Sequence, residues 1–229
     1  MKLTLTREFI TDALCRPILD PRLRALYDLC FLHRHHMRDD IVVDKLRLIT
    51  RLYADSPAWP GKAFSAEATA HNLSRSSVDH WFGALSTAEA LDSSLLLELH
   101  KRLMDVFGDL REEDARSLAS KYLHFHFPEL FHVYDTRIAT ALTLLMAGDR
   151  GFLALADFDP AYGRFHACCR KLTERVAPLV GRNLSPRELD TVLRGWLDSV
   201  GYDLQGASDD HAPLERVLPS APHASPLLA

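Results

Sequence analysis

Apolar residues in this chain recur at three- and four-residue spacing through most of the first 200 positions. No stretch shows the alternation of a half-buried strand. That regularity confines the fold to packed helices, each with one apolar stripe to bury. The expectation is an all-α class: a compact multi-helix domain, arranged as two helical lobes with a cleft between them. With 47% hydrophobic residues in a chain of 229, there is enough apolar material for such a core. No run approaches the roughly 18 consecutive apolar residues of a membrane span. The charged pair Arg7-Glu8 comes too early for a secretory hydrophobic segment. Nothing in the chain asks for a membrane.

Punctuation divides the pattern. Thr6 predicts the N-cap of a helix running to about Arg16, which Pro17 ends. Asp20-Pro21 opens a second helix, with Leu23, Leu26, Tyr27 and Cys30 on one face. A third covers Ile41 to Tyr53, and Ser56 to Gly61 is a break. Short helices follow from Ser65 and over 78–85, then a strongly periodic one over 88–107. Glu112 to about Phe127 continues, Pro128 interrupts, and a helix from Asp135 to Met146 closes at Gly148. Helices over Pro160 to Val176 and Pro186 to Val200 complete the set. These marks predict a helical domain over 1–202, with lobes formed by 1–60 plus the C-terminal helices and by 62–147. Residues 203–229, acidic and rich in Pro and Ser, read as a flexible tail.

The net charge of −4 does not advertise nucleic acid, but the charge is unevenly spread. Residues 1–51 carry ten Lys/Arg against seven Asp/Glu, which leaves room for a basic face. The four cysteines, Cys15, Cys30 and the pair Cys168-Cys169, lack Cys-x-x-Cys spacing and read as buried free thiols. A reducing, cytoplasmic setting is expected. His124 and His126 project roughly 200° apart on a helix, so they are not expected to share an ion. No metal or cofactor is expected.

The segment from Ser117 to Leu142 concentrates chemistry: a helix, the Pro128 turn, a short hydrophobic stretch, then Asp135 at the start of another helix. On spacing alone Asp135 is a helix cap, accepting bonds from the amides of Arg137 or Ile138. The order of features resembles the helix–hairpin–helix DNA glycosylase superfamily. There, a helix like ANVILANAF, a proline-containing turn and VDTHV lead into the next helix. Here Ala115 to Phe125, Pro128 and Val133-Tyr134-Asp135-Thr136-Arg137-Ile138 take those places.

The resemblance implies that Asp135 is the carboxylate that stabilises an oxocarbenium-like sugar and positions water. It makes Lys121 the second catalytic candidate, since some members use a lysine as a Schiff-base nucleophile, usually nearer the start of that helix. It also implies a base pocket drawn from Tyr122, His124, Phe125 and Tyr134, and DNA contacts from Arg116, Ser117 and Arg137. The partner would be double-stranded DNA with a flipped modified base, the enzyme a monomer without lyase activity, and its role repair or defence against modified phage DNA. One departure stands upstream. Where the family carries a hairpin like LPGIG, this chain has Phe107-Gly108-Asp109-Leu110-Arg111-Glu112-Glu113-Asp114. A non-catalytic helical module, binding DNA or protein, is the alternative reading.

Overall fold

The computed structural model of the chain describes residues 5–16, 20–54, 64–87, 92–108, 110–146 and 158–199. The described residues form ten helices and no strand, so the all-α class is established. They are α1 (Arg7–Cys15), α2 (Pro21–Leu32), α3 (Asp39–Leu52), α4 (Ala66–Arg75) and α5 (Val78–Thr87). Then come α6 (Ser93–Val106), α7 (Glu112–His126), α8 (Thr136–Leu145), α9 (Pro160–Val180) and α10 (Pro186–Ser199). No described helix is long and apolar enough to cross a membrane.

The caps explain most boundaries. Thr6 accepts from the Phe9 amide, Asp20 from Arg22 and Asp159 from Ala161 and Tyr162, each satisfying a first-turn N–H that has no partner inside its helix. Asp92 caps α6 at Leu95, so that helix begins at Ser93 rather than at 88. α9 passes the expected end at Val176 and reaches Val180. Pro178 sits so near the end that it removes only one ladder bond, and termination falls to Gly181 at φ 79°. The break at 56–61, the closure at Gly148 and the tail over 203–229 lie outside the described residues.

Two apolar clusters hold the helices. One gathers Leu26, Leu46, Leu73, Leu103, Leu118 and Tyr122, with other residues from α2 to α7. The other gathers Ile10, Leu142, Phe165, Leu172, Leu193 and Trp196, with others mainly from α1 and α8 to α10. Of the N-terminal helices, α1 places its buried apolar residues in the C-terminal cluster. α2 and α3, which the sequence assigned with the C-terminal helices, bury their stripes against α4 and α7. The short stretch from Phe127 to Asp135 carries the chain from one cluster to the other.

An unusual share of the interior is imidazole. His36, His100, His124, His126, His132 and His166 are all buried. Burial is the largest influence on each and pushes its pKa below the ordinary 6.5, to about 4 for His36 and His166 and about 3 for His100. In the unfolded chain these rings take up protons near pH 6.5, whereas in the folded one all six do so at lower pH, His36 and His166 only near pH 4. The unfolded state binds more protons in that window, so stability falls as pH drops from about 6.5 toward 4. Urea midpoints at pH 7.5, 6.0 and 5.0 should decline in that order; a constant midpoint would refute the account.

Candidate functional site

The site is built on α7. Ser117, Ser120, Lys121 and His124 fall at i, i+3, i+4 and i+7, so one face of a buried helix carries four polar side chains. That face lies against the connector, whose buried backbone groups need partners. Ser120 Oγ accepts from the Tyr134 amide at 3.0 Å, and Lys121 Nζ donates to the Tyr134 carbonyl at 3.2 Å. His124 Nδ1 lies 2.7 Å from the Phe131 carbonyl oxygen, and Tyr162 Oη donates to the His132 carbonyl at 3.1 Å. Ser117 Oγ accepts from Lys121 Nζ.

The connector delivers Asp135 to the N-terminus of α8. Its Oδ1 accepts from the Ile138 amide at 2.8 Å, which is the cap expected from spacing. Its Oδ2 accepts from Arg194 of α10 at 3.0 Å, and Arg194 Nε donates to Asp190 at 2.8 Å. The Asp135 side chain is 4% exposed, Lys121 is fully buried, and Arg194 is 32% exposed. Burial alone would raise the Asp135 pKa. The charges of Arg194 and Lys121, with the Ile138 amide, outweigh it and hold the carboxyl below its ordinary range. Burial pulls Lys121 down to about 8 against the opposing pull of Asp135. The site thus pairs an ionised carboxylate with a lysine whose pKa burial has depressed.

Tyr53 lies beneath both cations, with Lys121 Nζ 4.6 Å and the Arg194 guanidinium carbon 5.4 Å from its ring centroid. Tyr27 bonds His124 (Oη to Nε2, 2.7 Å) and carries Arg187 over its ring at 4.3 Å. Arg187, Asp190 and Arg194 follow the spacing i, i+3, i+7, so they form one face of α10. The sequence reading missed Tyr27, Tyr53, Arg187, Asp190 and Arg194 as site residues. The polar face of α10 was the one available signal.

Of the expected base pocket, His124 lies in the site and Tyr134 contributes its backbone carbonyl. Phe125 packs behind them, 4.8 Å from the Tyr27 ring. Tyr122 points elsewhere, into the α2–α7 cluster beside His126 and His36. His126 also turns away, bonding Lys45 Nζ at 3.0 Å and the Tyr122 carbonyl at 2.8 Å. Among the described residues no group of three or more His, Cys, Asp or Glu is placed to hold a metal. A cavity of about 10 Å³ behind Asp190, lined by Val133, Ile138, Cys169 and Leu189 among others, has room for one water and not for a base.

The expected DNA contacts are otherwise occupied. Arg116 is 7% exposed; its Nε bonds both Asp159 oxygens at 2.9 and 2.7 Å, and its second nitrogen bonds Glu112. Ser117 is buried beneath Lys121. Arg137 is half-exposed and paired with Asp198 at 3.0 Å. At the start of α7, Glu112 pairs Arg116 and Asp114 pairs Arg111. The acids there complement the helix dipole and bind arginines, so that helix end presents carboxylates rather than free amides.

Comparison with protein-family models, curated proteins and solved structures finds no match to this chain.

The geometry predicts a coupling. Removing the Asp135 charge takes away the influence that raises the Lys121 pKa, so Asp135→Asn should move it from about 8 to a lower value. Titrating the Lys121 side-chain resonance in both proteins measures this. A value that rises or stays put would mean that the two charges do not communicate.

Proposed function

We propose that the chain is a DNA glycosylase-like hydrolase that cleaves the N-glycosidic bond of a damaged or modified base. One observation carries the reading: the carboxylate at the position implied by the resemblance is buried yet held ionised, at the N-terminus of α8 and beside Lys121. Cleavage develops positive charge on the deoxyribose. Asp135 would stabilise that charge and orient a water, whose oxygen bonds to C1′ as the C1′–N bond breaks. The bond's electron pair leaves with the base, which takes up the proton that the attacking water gives up. A desolvated carboxylate suits this work because its field is little screened. Arg194 covers Asp135, so a sugar reaches the carboxylate only when that guanidinium moves aside.

A second reading has its own support. Asp135, Lys121 and Ser117 are enclosed and bonded to the connector or to α10, as a structural staple would be. The chain would then be a non-catalytic helical module that binds DNA or protein.

Incubation with DNA bearing varied modified bases, including intact phage DNA, separates the two. The glycosylase reading expects abasic sites that fall by about 100-fold or more in Asp135→Asn, the scale of a lost transition-state electrostatic contact. Abasic sites formed equally by the variant, or none from any substrate, would end it. Borohydride should trap no adduct; a trapped one would make Lys121 a Schiff-base nucleophile.

A further inference from the structure

The shell around Asp135 has a composition that the catalytic reading does not use. Its inner members, Asp135, Lys121 and His124, are buried. Its rim is four partly exposed side chains, Tyr27 and Tyr53 on one side and Arg187 and Arg194 of α10 on the other. Each arginine lies over one tyrosine ring, at 4.3 Å for Arg187 on Tyr27 and 5.4 Å for Arg194 on Tyr53. The contacts that close the rim are therefore cation–π contacts and the Arg194–Asp135 ion pair.

The charges there are not all paired. Arg187, Arg194 and Lys121 face Asp135, Asp190 and the exposed Glu129 of the neighbouring turn. Arg194 is shared between the two carboxylates. Arg187 has no described carboxylate within 4.0 Å, and the nearby acids Glu188 and Asp190 pair with Arg182 and Arg194. A planar guanidinium held on an aromatic face, in no ion pair among the described residues, can take a phosphate by two parallel N–H bonds. A nucleobase stacks on a guanidinium plane much as it does on an aromatic ring. Arg194 can exchange one oxyanion for another without losing a bond, giving up Asp135 Oδ2 for a phosphate oxygen while keeping Asp190.

We infer that this rim is a nucleotide-phosphate subsite. Arg187 anchors the phosphate, and Arg194 passes from Asp135 to the ligand as it enters, the adjoining base stacking on these guanidinium planes. The ligand's own phosphate thereby uncovers the carboxylate beneath. The inference rests on the glycosylase reading only in placing Asp135 as the group to be uncovered; binding itself needs no turnover.

The test is a low-salt titration of the full chain with three probes: inorganic phosphate, a deoxynucleoside monophosphate and a short oligodeoxynucleotide. The wild type should bind the monophosphate or the oligonucleotide better than inorganic phosphate. A preference for the oligonucleotide identifies a strand as the source, and equal binding identifies a free nucleotide. Arg187→Gln should weaken binding about tenfold and lower the slope of log affinity against log salt by about one, whereas Arg187→Lys should keep the slope. Melting curves of both variants, at a partly exposed position, guard against loss of fold. The Arg194 Nε–H resonance should move when the monophosphate is added.

Absence of binding by all three probes, an unchanged affinity and salt slope in Arg187→Gln, or an unmoved Arg194 resonance would overturn the inference. Arginine-dependent binding without abasic sites would leave this subsite standing and remove the proposed activity. Abasic sites with unaltered binding in Arg187→Gln would do the reverse.

Discussion

Everything at the centre of this protein depends on satisfying the backbone of a buried, non-helical stretch. Residues 131–135 cross between two apolar clusters, where an unpaired amide or carbonyl would cost roughly 1–3 kcal/mol. α7 meets that demand with Ser120, Lys121 and His124, and α9 adds Tyr162. A helix buried on nearly every side would ordinarily be apolar all round. α7 is not, because one face serves as the hydrogen-bonding partner of a neighbouring strand-like segment.

That solution places a lysine where water cannot reach it, and the lysine in turn requires compensation. Tyr53 offers its ring, Ser117 its hydroxyl, and Asp135 its charge. Asp135 is itself too buried to stand with only one cation at a distance, so Arg194 completes the set. Removing one member of such a group leaves the others uncompensated, at a cost of about 3–5 kcal/mol. The same arrangement that holds the fold together also sets the protonation of Asp135 and Lys121, so structure and chemistry are not separable at this point.

The helices were legible because their signals are local. Thr6, Asp20 and Asp135 sit where caps belong, and the apolar stripes of α3, α6 and α10 repeat within a few residues of themselves. Partnerships between distant residues were not legible. Arg116 looks like a phosphate contact until Asp159, 43 residues on, takes it. Arg194 is 59 residues from Asp135, and nothing in the local pattern links them. Tyr122 was grouped with Lys121 by adjacency, yet one residue of helix is a turn of about 100°, enough to put it in the other cluster. The division of α1, α2 and α3 between clusters was hidden for a similar reason, since an amphipathic stripe says that a face is buried but not against what.

α1 gives the chain an order of assembly. The helices from α2 to α7 pack among themselves and are contiguous in sequence, so they can gather as soon as residue 131 has been made. α1 is made before any of them, yet its partners are α10 and α9. Its docking on α10 thus joins the first and last of the described helices. That contact closes most of the described chain into one loop, at an entropic cost that grows only slowly with the length enclosed.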